Sequence, residues 1–495
     1  MDALFVGVLF LLFFYLGFGH VFFNGPKGIH FMRQTDSLSF ASNFYRNSFD
    51  FFNPQLFNLK NDAGHAACEF PITYYLAAIS YTIVGNKLFV LKFIHVILVY
   101  VGLFHAFKLS FLLLKDYVFS FLIGLTLFTA TIFNYYSFNY LPDAAAFGLT
   151  LSGLYFVFKY FKNENIKTLI IAFSYFTFAG LIKITYLTYP LAFLIVAFLL
   201  LLFKKNELLS KKNAIRIFLY GSISLFLVLA WNGYMLYYNQ KFHVSSFNTA
   251  PQPIWEMTNE NIKIVWDHLS EYWFSSYFAN DVFHFILLVI VFQIIFIKKA
   301  SIDLLFFVLI LFLGNLAYLL LFFAQFKDHD YYFITFYPFF IILLISGINT
   351  IQRSSFQKIG TFVLKIIFIY VVINGIRFSK VELSNRFKLG IDDYSKAGLL
   401  IEKNKNAIKQ LNLPDDSKFI IAPDLCQNGG LFFLNKSGWT IENTSDISPE
   451  SISYFKKEGA DYLLLVSADQ DLIGESVSYG NIILKTSDIT ILKLN

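Results

Sequence analysis

Cysteine is almost missing from this chain, and charge is scarce. Cys68 and Cys426 are the only cysteines in 495 residues, which supports neither a disulfide framework nor a cysteine metal cluster and leaves one bond between the two open. Asp, Glu, Lys and Arg make up only 15% of the sequence. The first apolar run, Ala3 to Phe23, lacks both a basic leader and a small-residue cleavage site, and it exceeds the length of a signal-peptide core, so it is expected to remain as the first helix. Residues after about 378 contain no run of the roughly 20 apolar residues a membrane span requires. They also lack a Gly-rich phosphate fingerprint, and "QNGG" (Gln427–Gly430) reads as a turn.

What the chain does have is apolar surface. Hydrophobic residues reach 57% and phenylalanine alone 64 positions, more than one water-soluble core can bury, which puts the chain in the membrane class. Charge divides it at the same place as hydropathy. Residues 381–495 carry 16 acidic and 12 basic side chains, net −4, leaving 17 acidic and 27 basic, net +10, for the remainder. That excess is a topology signal, not a sign of nucleic-acid binding.

The basic clusters Lys108/Lys115, Lys159/Lys162/Lys167, Lys204/Lys205/Lys211/Lys212/Arg216, Lys298/Lys299 and Arg353/Lys358/Lys365 are expected on the cytoplasmic face. They share it only if the short, Tyr-rich stretch Phe70–Val84 lies along the outer surface as an interfacial helix. The expected spans are then 3–23, 88–107, 117–134, 143–160, 166–183, 187–203, 214–237, 282–297, 302–324, 332–350 and 359–376. The expected fold is an all-α polytopic membrane bundle of about eleven spans, residues 1–378, with its outer loop at 24–87. A small α/β extracytoplasmic domain follows over 379–495, with strands at "KFIIAPD", "DYLLLV" and "NIILKT" and helices near Asp392–Leu411 and Pro449–Glu458.

This threading gathers Asp36, Glu69, Asp143, Lys183, Lys327, His329 and Asp330 at one membrane face. Such a rim can bind a substrate, and ordinary loop charge is the competing reading. Asp36, in "RQTDSLSFASNFYRN", is the best candidate for a general base, with a helix N-cap by Thr35 or Asp36 as the alternative. Glu69 and Asp143 each stand at a helix start, where capping competes with contact to substrate or a divalent metal. Lys183 ends an apolar span and either snorkels or meets an anion. "FKDHDYYF" offers Lys327 and His329 as donors and Tyr331 and Tyr332 as ring platforms, and it is weak as a metal site because no second His stands at ligand spacing. Trp255, Trp266 and Trp273, in the long outer loop, suit an interfacial belt better than sugar stacking.

With these residues in order, the chain resembles the GT-C fold group, namely the bacterial relatives of the protein O-mannosyltransferases and of the lipid A aminoarabinose transferase (glycosyltransferase family 39-like). The resemblance is strongest across Arg33–Tyr81 and Asn139–Tyr189, with "HDYY" (His329–Tyr332) as a third anchor. It implies inverting transfer from a polyprenyl-phosphate sugar, metal-assisted or metal-free, with Asp36 as the catalytic aspartate of the first outer loop. Asp143, Lys183, His329 and Tyr332 match further family positions. Where several relatives carry a Lys-Pro-Pro whose lysine binds the donor phosphate, this chain reads Glu69-Phe70-Pro71. Phosphate contact is therefore expected from Lys183, Lys327, His329, Arg33 or a metal held by Glu69 and Asp143, and substrate contact from Asp330, Tyr331 and Tyr332.

The implied partners are a polyprenyl-phosphate-sugar donor, a lipid, glycan or protein acceptor, and membrane lipids. The implied location is the bacterial cytoplasmic membrane, with the C-terminal domain outside the cytoplasm. The competing classes are a transporter or lipid flippase and a non-catalytic envelope assembly protein.

Overall fold

Long apolar helices dominate the chain up to residue 388, because few polar residues interrupt the runs that must satisfy their backbone groups internally in lipid. The structure, a computed structural model, describes residues 1–47, 49–203, 211–247, 250–355, 357–388, 392–466 and 477–495. Lys204, Lys205 and the side chain of Lys358, all assigned to basic clusters, lie outside the described part.

Helices stand at each expected span, and among the described residues only some of them have the length and apolar character of a full crossing, so the count of eleven is not shown. Six are long and apolar enough to cross a membrane: Phe89–Leu114, Asp143–Asn163, Lys211–Lys241, Ile302–Leu321, Asp330–Gln352 and Ile359–Phe387. Two bent pairs, Tyr117–Thr129 with Thr131–Ser137 and Asn259–Tyr277 with Asn280–Ile295, raise the number to eight among the described residues if each pair is one span. Asp2–Tyr15 and Ile166–Ile182 are shorter. The Ile72–Val84 helix has only 13 residues and presents Leu76, Ile79 and Ile83 outward, as an interfacial helix does.

The two ends of the bundle differ chemically. At one end Lys108 pairs with Asp2 at 2.7 Å, Lys365 with Asp116 at 2.5 Å, and Lys162 donates to the Leu112 carbonyl at 2.6 Å. Asp143 opens the 21-residue helix that carries Lys162 near its other end, so the acidic and basic ends lie about 30 Å apart. The helices of this pair, Phe89–Leu114 and Asp143–Asn163, touch backbone to backbone. A Cβ on Gly102 would sit 2.4 Å from the Gly148 Cα, and one on Gly148 would sit 2.2 Å from the Leu98 carbonyl oxygen.

The C-terminal domain is a five-stranded open sheet in the order β2-β1-β3-β5-β4, with β1 Phe419–Ala422, β2 Gly438–Thr440, β3 Tyr462–Leu465, β4 Gly480–Lys485 and β5 Thr490–Leu494. β1 pairs in parallel with β2 and β3, while β5 pairs antiparallel with β3 and β4. β1 and β3 are buried along their whole length, which is why they read as continuous apolar runs. Helices Lys396–Lys403, Gly429–Leu434 and Pro449–Lys457 accompany the sheet, the last opened by a Ser448/Ser451 capping box. The domain docks on the first outer loop: Leu59 N–H donates to the Gly438 carbonyl at 2.7 Å and Gly438 N–H to the Phe57 carbonyl at 3.0 Å. Cys68 and Cys426 are both buried free thiols, which closes the option of a bond between them.

Candidate active site

The polar passage after the first apolar run folds as one helix, Phe31–Arg46, with His30 at its N-cap in the left-handed conformation (φ 57°). The helix begins before Thr35 and Asp36, so the N-cap reading of those two residues is overturned. Thr35 instead returns its hydroxyl to the Met32 carbonyl at 2.8 Å. Asp36 lies a turn further in and is buried.

Asp36 meets Arg33 of its own helix at 3.6 Å through Oδ2, and its Oδ1 accepts from Asn428 Nδ2 of the C-terminal domain at 2.8 Å. Burial raises its pKa to about 6 against the opposing pull of Arg33 and Asn428. Glu69 shares Arg33 with Asp36 and goes in the other direction. Burial pushes its pKa up, but Arg33 and the hydrogen bonds from Tyr74 and Cys68 outweigh that and hold it below the usual value. Arg33 Nη2 donates to both Glu69 oxygens at 3.1 Å, and the Tyr74 hydroxyl donates to Oε1. Two neighbouring carboxyls with pKa values pushed apart are able to divide roles, one exchanging a proton near neutrality and one staying ionised.

In a second group of the site, Asp143 is the first residue of its helix and Lys183 the C-cap of Ile166–Ile182, and the two pair at 2.9 Å. Lys183 Nζ also lies over the rings of Tyr332 at 4.5 Å and Tyr331 at 5.2 Å. The two halves of the site are joined by backbone, since Phe70 N–H donates to the Leu181 carbonyl at 3.0 Å. They are joined by charge as well. Burial lowers the His329 pKa to about 4, and His30, Lys183 and Arg33 all add to that shift. The His329 ring stacks on Tyr332 with centroids 5.3 Å apart. Its Nδ1 and Arg33 Nη1 are buried and have no hydrogen-bond partner.

Asp330 is fully buried and accepts from Tyr136 at 2.5 Å and from Arg386, with His30 Nε2 at 3.3 Å. Its bonds tie the "HDYY" segment to the last long helix. Lys327 is the most exposed cation of the set, and its ammonium lies 3.9 Å from Asp328. The structure thus brings Arg33, Asp36, Glu69, Asp143, Lys183, His329, Tyr331 and Tyr332 into one connected cluster, gives Asp330 internal partners, and leaves Lys327 at the margin.

The carboxylates proposed for a metal are already neutralised, Glu69 by Arg33 and Asp143 by Lys183. Among the described residues no group of three or more His, Cys, Asp or Glu is arranged so that it could hold a metal ion. As paired here, Glu69 and Asp143 do not offer free carboxylates to a divalent ion.

Sequence reasoning missed His30, Tyr74, Tyr136, Arg386 and Asn428. His30 stands three residues before Arg33, just ahead of the polar passage. Arg386 and Asn428 gave no local signal, because each belongs to a segment assigned outside the membrane part.

No protein-family model matches the chain, and no curated protein matches it. Solved structures do. ArnT from Cupriavidus metallidurans superposes with TM-score 0.63 in the apo state and 0.64 bound to undecaprenyl phosphate, each at 11% identity, covering 99% of this chain and 97% of that one. The Archaeoglobus fulgidus oligosaccharyltransferase, in complex with Zn and sulfate, superposes with TM-score 0.54 at 10% identity, covering 92% of this chain and 68% of that one. The chain therefore has the GT-C fold of these membrane proteins.

Proposed function

We propose that this polytopic membrane protein is an inverting glycosyltransferase, moving a sugar from a polyprenyl phosphate to a hydroxyl or amine of an extracytoplasmic lipid, glycan or protein at a bacterial cytoplasmic membrane. The observation that carries the reading is one cluster in which the buried Asp36 carboxyl faces Arg33, whose Nη1 approaches Oδ2 at 3.6 Å, and in which His329 Nδ1 is buried without a hydrogen-bond partner. A fold shared with ArnT, which binds undecaprenyl phosphate, supports it.

In the transfer, Asp36 takes the proton of the acceptor O–H as that oxygen bonds to the anomeric carbon. The bond from that carbon to the phosphate oxygen breaks on the opposite face, and its electron pair leaves with the polyprenyl phosphate. A single displacement inverts the anomeric centre. Negative charge growing on the leaving phosphate is met by Arg33, His329 and Lys183, groups already fixed by Glu69, Tyr332 and Asp143. Neutral His329 serves as a hydrogen-bond donor there, since its depressed pKa keeps it uncharged at pH 7. The ionisable groups of the cleft gather at helix ends and not midway along spans, where a transporter places them.

The test is transfer of label in vesicles from a panel of undecaprenyl-phosphate-linked [14C]hexoses and pentoses. Asp36→Asn is expected to lower turnover by about 10²–10⁴-fold, the usual contribution of a placed general base. Undiminished turnover by that variant would remove Asp36 from the chemistry.

A further inference from the structure

The C-terminal domain reaches the cleft through one side chain. Asn428 lies in the loop between β1 and the Gly429–Leu434 helix and is almost wholly buried. Its Nδ2 donates to Asp36 Oδ1 at 2.8 Å while its Oδ1 accepts from the Asn58 backbone N–H at 3.0 Å. A backbone N–H can only donate, and an ionised carboxylate can only accept. The amide is therefore pinned in one orientation, because flipping it would break both bonds.

The loop carrying Asn428 is held from three sides. Asp424 accepts from the N–H groups of Cys426 at 2.9 Å and Gly430 at 3.0 Å, curling the loop around its own carboxylate. Asn58 Nδ2 donates to the Gln427 carbonyl at 2.7 Å and to Thr440 Oγ1 at 3.1 Å. Thr35, next to Asp36, meets Cys426 Sγ at 3.5 Å. The two glycines of "QNGG" are required by this packing: a Cβ on Gly429 would sit 2.7 Å from the Phe31 ring, and one on Gly430 2.6 Å from Asp424 Oδ2.

We infer that Asn428 is a positioning residue for Asp36, so that the C-terminal domain completes the active site instead of merely standing beside it. By holding Oδ1, the amide sets the rotation of the carboxylate and leaves Oδ2, which has only the 3.6 Å approach of Arg33, to face an incoming acceptor. This deepens the reading of Asp36 as base and rests on it. The groups facing Asp36 are Arg33 on its own helix, Glu69 and Cys68 from the segment before the Ile72–Val84 helix, and Cys426 and Asn428 from the C-terminal domain.

The experiment uses the full chain in vesicles with two variants, Asn428→Asp and Asn428→Ala. Two quantities are followed: the infrared carboxyl titration assigned to Asp36 by its loss in Asp36→Asn, and the pH profile of kcat with the labelled undecaprenyl-phosphate sugar that the wild type turns over. Asn428→Asp keeps the acceptor for Asn58 but sets an acceptor against Asp36. Proton affinity of Asp36 is expected to rise about tenfold or more, as when a like charge or a lost donor disfavours the ionised form. The acid limb of kcat moves up with it, KM for the donor stays within about twofold, and activity recovers at high pH. Asn428→Ala, which cannot repel, is expected to shift both in the same direction by less.

The inference is overturned if both variants keep the wild-type titration, or if activity falls equally at every pH with no shift. An Asp36→Asn variant that retains full turnover is a different failure, since it retires the base itself whatever Asn428 does.

Discussion

Asp36 and Glu69 share Arg33, and their environments set their charge. Asp36 has a pKa raised to about 6 chiefly by burial, so it binds its proton more tightly than a free aspartate. A base must be ionised to act, hence turnover is expected to be nearly level above pH 7 and to fall as pH drops through about 6. The Glu69 charge raises the Asp36 pKa, and Glu69 also occupies Arg33. Glu69→Gln removes the repulsion and releases Arg33 toward Asp36, so its acid limb should move to lower pH. A limb that moves up, measured by kcat across pH 4.5 to 9, would contradict this arrangement of charges. The sequence exposed the composition of this cluster because Arg33 and Asp36 share one polar passage between apolar runs. It hid the partners, since nothing local ties Tyr74 to Glu69 or Asn428, nearly 400 positions away, to Asp36.

Helices were legible where hydropathy changes and illegible where it does not. The bend between Tyr117–Thr129 and Thr131–Ser137, 82°, falls inside the expected span 117–134, where no Pro, Gly or charge marks the break at Ala130. The last long helix continues to Phe387 although its final turns are polar, because there it leaves the lipid and still carries Arg386 to Asp330. Arg386→Met should cost about 3–5 kcal/mol by leaving the buried Asp330 carboxylate without its cation. Asp330→Asn combined with Arg386→Met should recover part of that loss, which thermal and denaturant unfolding of the detergent-solubilised protein would register. Gly148→Ala tests the neighbouring joint. Its methyl would enter the Leu98 backbone, and the helices must separate or the variant loses about 1–3 kcal/mol. Because Asp143 opens the same helix, the substitution should also raise KM for the donor more than an equally destabilising change at the basic end.

At the scale of the whole molecule, function depends on the cleft and the C-terminal domain sharing one side of the membrane. The contrast between the two ends supports this: the site lies where Asp143 starts its helix, and Lys162, bonded to the Leu112 carbonyl, and the ion-paired Lys108 and Lys365 lie where the helices of that layer reach the other end. Lys and Arg are poorly translocated, so basic ends are expected in the cytoplasm and the domain docked on Asp36 is expected outside it. The expected sidedness rests on charge asymmetry in the sequence, net +10 before residue 381 and −4 from there on, whereas the docking, made by backbone pairing of Phe57 and Leu59 with Gly438, left no sequence signal. Single cysteines in a cysteine-free background separate the two faces. Glu450 and Lys298 are both exposed, the first on the C-terminal domain and the second between the Asn280–Ile295 and Ile302–Leu321 helices. In right-side-out vesicles a membrane-impermeant maleimide should label Glu450→Cys at once and Lys298→Cys only after permeabilisation. Labelling of both from the same side would put the basic ends and the cleft on one face, and the single helix joining Asp143 to Lys162 could not then cross the bilayer.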